Sequence, residues 1–179
     1  MRAARPAWTV RPKGERDAAA VAELLAEIAR EGGLIATEWP FDLEARAAAM
    51  RDALLLRRCV GWVALEGRTL IADLTVTEIE ADEPELGMMV EARLRGRGIG
   101  RALLRQALAW AHGNGKLALR LRVFPDNVRA LALYRSSGFV EVELQSSVIP
   151  SRSGAARDAL VMRCPTIAGP RDARARGRW

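Results

Sequence analysis

The run Arg95-Gly96-Arg97-Gly98-Ile99-Gly100 joins an apolar strand to a long amphipathic helix and decides the reading of this 179-residue chain. Its glycines permit a left-handed backbone and let a ligand come close to the main chain. A helix start aims unpaired N–H groups and a partial positive charge into the same space. Arg95, Arg97 and Arg101 add full charges. Such a turn suits a pyrophosphate.

Three phosphate motifs compete for this turn, and register separates them. A P-loop closes on Gly-Lys-Ser/Thr, whereas Gly100 is followed by Arg101-Ala102. A dinucleotide fingerprint needs G-x-G-x-x-G/A. The frames opened by Gly96 and Gly98 end on Arg101 and Leu103, so both fail. The third pattern, R/Q-x-x-G-x-G/A, is the coenzyme A loop, and Arg95, Gly98 and Gly100 match it. Taken alone, the turn also reads as a basic bend ahead of an ordinary helix.

Working outward, Pro84 opens a strand over Leu86–Val90. The helix after the turn runs from Gly98 to Ala111, with Ile99, Leu103, Leu104, Ala107, Leu108 and Ala111 on its buried side. Leu117 to Val123 alternates as a strand. Asn127 caps a short helix that passes Tyr134 and stops at Gly138. Strands over Phe139–Leu144 and Ala159–Met162 flank a polar loop containing Ser151, Ser153 and Gly154.

Upstream, Trp8–Arg11 is a short strand. Asp17 is expected to cap a helix reaching Arg30, and Asp42 one carrying Leu43, Ala47, Met50 and Leu54. Cys59–Leu65 and Thr69–Ile79 form an antiparallel meander around Glu66-Gly67-Arg68. In its second strand Leu70, Ala72, Leu74 and Val76 face one way, and Asp73, Thr75 and Thr77 the other.

The order β-α-α-β-β-β-α-β-α-β-β predicts an α/β (α+β) fold with helices around a mixed, mostly antiparallel sheet. Its one parallel pair is expected in the strand–helix–strand unit from Leu86 to Val123. Residues 1–165 read as one domain. Residues 166–179 form an Arg-rich tail without apolar periodicity, expected to lack fixed structure.

Half of the chain is hydrophobic and no run of apolar residues is long enough to cross a bilayer, which predicts a soluble, cytoplasmic protein. Cys59 and Cys164 sit in apolar strands and read as buried thiols. His112 is the single histidine, so no His-based metal triad exists and no metal is expected. At a helix end, it reads as a surface residue near the helix dipole. The formal charge of +6 gathers partly in the tail. Nucleic-acid binding there needs aromatic residues among the basic ones, and the tail offers only Trp179.

The stretch from Glu85 to Phe139 resembles the GCN5-related N-acetyltransferase (GNAT) family. Carrying the resemblance are Glu85-Leu86-Gly87, the Arg-Gly-Arg-Gly-Ile-Gly turn, Asn127-Val128-Arg129-Ala130 and Leu133-Tyr134-Arg135-Ser136-Ser137-Gly138-Phe139. Arg157–Met162 looks like the family's last strand. The resemblance implies a GNAT acyl-CoA N-acyltransferase fold of six to seven strands and about four helices. It implies acetyl-CoA as co-substrate, a primary amine as acceptor, and a possible homodimer.

In the family the pantetheine arm lies between two splayed strands, here those ending at Val90 and Val123. Carried over, Met88, Met89 and Val90 hold the arm, and the Val90 N–H faces the thioester oxygen. The amides of Arg95, Gly96, Arg97, Gly98, Ile99, Gly100 and Arg101 grip the pyrophosphate. Asn127 and Ala130 open the helix beside the arm, Asn127 serving as cap, cofactor contact or both. Tyr134 becomes the acid that protonates the leaving thiolate; it is the single tyrosine. Glu85 is the candidate base, with Glu78, Glu38 and bulk water as rivals. Some members carry Glu on the strand before the Asn helix, where this chain has Arg122.

For the acceptor, the resemblance points to the loop between the first two helices and the loop joining the last two strands. Glu38, Trp39 and Phe41 become candidate substrate contacts, or the two rings pack under the sheet while Asp42 caps. A non-catalytic acyl-CoA sensor on the same fold is the alternative function.

Overall fold

The computed structural model describes residues 7–150 and 154–166. The expected tail beyond Thr166 and the Ser151 and Ser153 of the polar loop lie outside them. Seven strands and four α-helices follow in the order β1 (Trp8–Pro12), α1 (Ala18–Glu31), α2 (Leu43–Leu55), β2 (Cys59–Glu66), β3 (Thr69–Thr77), β4 (Glu85–Val90), α3 (Ile99–Gly113), β5 (Ala118–Val123), α4 (Val128–Ser136), β6 (Val140–Ile149) and β7 (Arg157–Pro165).

The strands form one open sheet in the order β1-β2-β3-β4-β5-β7-β6. Every pairing is antiparallel except β4 with β5, the expected parallel pair. Alternation of side chains sets the two layers. Ala72, Leu74 and Val76 of β3 join Leu119, Leu121 and Val123 of β5 in a core with Leu103, Leu104, Ala107 and Ala111 of α3. Leu131 and Tyr134 of α4 belong to the same core. On the opposite face α1 buries Val21, Leu24 and Ile28. That is the 3.6-residue apolar stripe expected of a helix laid on a sheet.

Several boundaries differ from expectation. Asp17 does not cap α1: it closes a 3-10 turn over Glu15–Asp17, accepting from the Gly14 amide at 2.9 Å and from Arg11 at 2.7 and 2.8 Å. Its carboxylate satisfies three donors there and none at the helix start. Asp42 does cap α2, accepting from the Ala45 amide at 2.9 Å. β3 stops at Thr77 because Glu78 takes φ 54°, a left-handed turn. β6 and β7 run further than expected, because their pairing continues past the polar Gln145-Ser146-Ser147 to Ile149 opposite Arg157, and on this edge strand Val140, Val142 and Leu144 are exposed. Cys59 and Cys164 are free and buried, as expected.

A buried ion pair ties the first strands together. The Lys13 ammonium donates to Asp73 Oδ1 at 2.7 Å and to Thr75 Oγ1, while Thr75 Oγ1 donates to Asp73 Oδ2 at 2.9 Å. Lys13 is 8 % exposed and Asp73 4 %. To reach Asp73 the lysine stem crosses β2 at Gly61, where a Cβ would stand 2.5 Å from the Leu74 carbonyl and 2.8 Å from Lys13 Cε. Only glycine fits there. No helix among the described residues is long and apolar enough to cross a membrane.

Candidate functional site

β4 and β5 start side by side and then part. Glu85 opposite Arg120 is their one registered pair, and the Arg120 amide donates to the Pro84 carbonyl at 3.0 Å. Beyond it, the registered strand pairing of β4 is with β3 only. The Glu91 amide donates to the Ile71 carbonyl at 2.9 Å. Because successive residues of a strand bond to opposite sides, the amides of Met88 and Val90 face the gap toward β5. These are groups that a ligand backbone can pair with, as a further strand would. Of the three residues expected to hold the arm, Met88 and Val90 turn their amides to the gap, whereas the Met89 amide is turned toward β3.

The gap opens onto the glycine turn. Gly96 and Gly98 both take φ 82°, and a side chain on either would meet nothing within 4 Å. The requirement for glycine there is conformational, since a left-handed φ disfavours any Cβ. Ala102 is the first amide to bond inside α3, to the Gly98 carbonyl at 3.0 Å. Ile99, Gly100 and Arg101 thus form an unpaired first turn.

Gly100 serves packing. A Cβ there would lie 2.8 Å from Leu133 Cδ2 and 3.3 Å from Met88 Cε. The absent side chain lets α3 sit tight against α4 and β4.

The arginines divide into two roles. Arg95 does not point into the turn: its Nε donates to the Val90 carbonyl at 2.9 Å, and its two terminal nitrogens clasp Glu31 at 2.7 and 2.9 Å. It fixes the end of β4 to the end of α1. Arg97 is exposed, and Arg101 donates to Ser136 Oγ at 3.1 Å on α4. These two supply the charge beside the unpaired amides.

On the other side of the gap, Asn127 Oδ1 accepts from the Ala130 amide at 3.2 Å. The cap reading of Asn127 holds, and it is compatible with a ligand contact through the amide nitrogen. Tyr134, about two helical turns further on, is 6 % exposed and tilts against Phe139 with ring centroids 5.7 Å apart. Its hydroxyl makes no hydrogen bond among the described residues. Burial pushes its phenol up to about 12, so it stays protonated across the neutral range.

Glu85 sits at the apex of the gap, with Oε1 held by Arg122 Nε at 3.0 Å. Arg122 thus pairs with the candidate base. At roughly 3.3 Å per residue, Glu85 lies about 10 Å along the strand from Met88 and about 16 Å from Val90. Around Glu85 a polar cleft of about 170 Å³ is lined by Glu78, Glu83, Arg120, Arg122 and Gln145.

The substrate candidates Trp39 and Phe41 stack edge to face at 5.4 Å, with Arg30 4.0 Å over Trp39 and Arg46 5.5 Å over Phe41. Trp39 remains 37 % exposed, so the pair is no part of the core. Glu38, beside them, is half-buried.

Sequence reasoning missed a second hollow nearby. A cavity of about 200 Å³ lies between α1, α2 and β3–β4, walled by Val21, Leu25, Ile35 and Met50. Asp73 and Thr75 line it beside Gly87 and Met89, their cross-strand partners. The signal was present in the alternation of β3, which places two polar residues on the α1 face. Their burial was not foreseeable without Lys13. Among the described residues no cluster of metal-ligating side chains occurs.

Comparisons with known proteins give the family and the fold. A profile of the acetyltransferase (GNAT) family matches residues 18–139. The [ribosomal protein bS18]-alanine N-acetyltransferases of Salmonella typhimurium and Escherichia coli are 32 % identical over 96 residues, 53 % of this chain and 64 % of theirs. The match therefore spans less than two thirds of those relatives' length. Among solved structures, Salmonella typhimurium yncA with its cofactor acetyl-CoA superposes with a TM-score of 0.78 at 21 % identity, covering 92 % of this chain and 96 % of that one. The ribosomal-protein-alanine N-acetyltransferase of Brucella melitensis gives 0.77 at 24 % identity, covering 88 % and 99 %.

Proposed function

Because this chain belongs to the GCN5-related N-acetyltransferase (GNAT) family, we propose that it transfers the acetyl group of acetyl-CoA to a primary amine by direct attack in a ternary complex. The observation that carries this reading is the parting of β4 and β5 after one registered pair, with the gap leading to the glycine turn. Residues 1–165 are the proposed catalytic domain.

The residues fit coenzyme A in three parts. The amides from Gly96 to Arg101, with Arg97 and Arg101, receive the pyrophosphate at a helix start. The Met88 and Val90 amides and the Asn127 side chain receive the pantetheine arm. Acetyl-CoA supplies an activated thioester whose carbonyl carbon takes the amine. The amide of Val90, or of Met88 two residues before it, donates to the oxyanion that develops, the largest kind of contribution in acyl transfer.

As the new N–C bond forms and the C–S bond breaks, Tyr134 gives its proton to the departing sulfur and recovers one from solvent. A phenol held protonated by burial has its proton available at that step and is unsuited to act as base. The amine sheds its proton toward Glu85, through water given the spacing along β4. Glu38, Trp39 and Phe41 border the approach on the α1–α2 side.

Two measurements test the reading. Acetyl-CoA at tens of micromolar is expected to raise the melting temperature, because a ligand bound only to the folded state stabilises it by mass action. Thiol release from acetyl-CoA in the presence of a panel of amines then reports turnover. No melting shift at millimolar acetyl-CoA would overturn the donor assignment. A shift without thiol release for any amine would favour the sensor function.

A further inference from the structure

The proposed chemistry leaves the cavity between α1, α2 and β3–β4, beside the gap, without a role. Its position gives it one. The thiol departs toward Tyr134 on the α3–α4 face, and the side that α1 and α2 cover is free of the leaving group and able to admit the attacking amine. The cavity opens on that face at Gly87, Met88 and Met89, beside the amides that border the thioester.

We infer that this cavity is the acceptor pocket, and that the acceptor is a primary amine with a single positive charge carried on a compact apolar substituent. The inference rests on the acetyltransferase reading above and names the substrate class for it. The walls supplied by Val21, Leu25, Ile35 and Met50 offer an ammonium nothing, but they favour hydrocarbon. A dry cavity of roughly 150 Å³ accommodates benzene, so about 200 Å³ takes a branched or aromatic group of side-chain size.

The polar end of the pocket is Asp73 with Thr75. Lys13 occupies Oδ1 of the carboxylate and Thr75 occupies Oδ2. Each carboxylate oxygen has a second lone pair, so two acceptor positions remain. These hold the amine at the cross-strand neighbours of Gly87 and Met89. Lys13 keeps the buried carboxylate paired, so the pocket carries no uncompensated negative charge that would draw in a polycation.

Arg46 reinforces that exclusion. It lines the same cavity from α2 and makes no ion pair among the described residues. A second ammonium on the acceptor would have to lie near this guanidinium. Polyamines are therefore disfavoured by like charge, a specificity built by repulsion as well as by fit.

The experiment compares 3-methylbutylamine, ethanolamine and spermidine as acceptors, by thiol release and by calorimetric binding to protein saturated with coenzyme A. At roughly fourfold per buried methylene, 3-methylbutylamine is expected to exceed ethanolamine by tenfold or more, with spermidine weakest. Met50→Trp, which fills the cavity from a half-buried position, is expected to erase that advantage while the melting shift with acetyl-CoA persists. Arg46→Glu is expected to raise spermidine relative to 3-methylbutylamine.

Equal affinities across the three amines, or an advantage that survives Met50→Trp, overturn the pocket assignment and leave the acetyltransferase reading intact. A protein that binds 3-methylbutylamine but gives no melting shift with acetyl-CoA overturns the enzyme reading and keeps the pocket.

Discussion

β5 has two neighbours and treats them differently. Against β7 it forms six registered pairs, from Ala118 opposite Pro165 to Val123 opposite Leu160. Against β4 it forms one. The same strand is thus a sealed seam on one side and an open wedge on the other. Sequence does not distinguish the sides, because Leu119, Leu121 and Val123 would satisfy a closed sheet equally well. The wedge is bordered by contacts that the strand pattern does not encode. Gly100 lets α3 sit close to α4 and to Met88 of β4, and Arg95 ties the Val90 carbonyl at the end of β4 to Glu31 of α1.

Breaking the chemistry on the wedge side is expected to give the largest effect. Tyr134→Phe should lower kcat by about 10²–10⁴, the usual contribution of a positioned acid, with the acetyl-CoA melting shift retained. An unchanged kcat in steady-state assays removes Tyr134 from the mechanism. Next in size is Gly98→Val. Its φ of 82° would force a β-branched residue into a left-handed conformation costing roughly 1–2 kcal/mol. About tenfold weaker acetyl-CoA binding by calorimetry is expected, and native affinity would show that the turn does not grip the ligand.

Arg95→Met sharpens the contrast, because it frees β4 without touching β5. A few-fold loss of acetyl-CoA affinity is expected, with no change in the protection of β5–β7 amides in hydrogen exchange. Loss of protection on the β7 side would mean that wedge and seam are one cooperative unit.

The smallest effect lies at the apex. Arg163 of β7 reaches across to Glu83 with contacts of 3.1 and 2.7 Å and holds that carboxyl below its ordinary value of 4.5 by direct hydrogen bonding. A depressed carboxyl adds stability above its unfolded value, and that stability is lost as pH falls through the folded one. Arg163→Met is expected to cost about 1 kcal/mol at neutral pH, the upper end for pairs near the surface, since both partners are half-buried. The difference from the native chain should vanish in denaturation curves taken well below pH 4.5.

Most of the fold was legible because its signals are local. Glycine spacing marked the turn, apolar periodicity marked α1 and α3, and alternation marked β3 and β5. The misread elements depended on distant partners. Asp17 looked like a cap until Arg11 and the Gly14 amide claimed it. β6 looked short because the polar Gln145-Ser146-Ser147 breaks its apolar alternation, and only the pairing with β7 carries the strand on to Ile149.

The candidate site divides in the same way. The turn, Asn127 and Tyr134 sit in one continuous stretch and could be placed by spacing. Asp73 and Thr75 acquire their setting from Lys13, sixty residues earlier in the chain. Trp39 and Phe41 drew attention as aromatic residues in a loop, and they pack on each other with arginines above them.

The lysine that passes over Gly61 has a consequence for the outer edge of the sheet. A strand as short as β1 could slide by a step against β2 and exchange its inward and outward residues. Anchored beneath the third strand, it has no such freedom, so β1 keeps its alignment through a bolt set two strands further in.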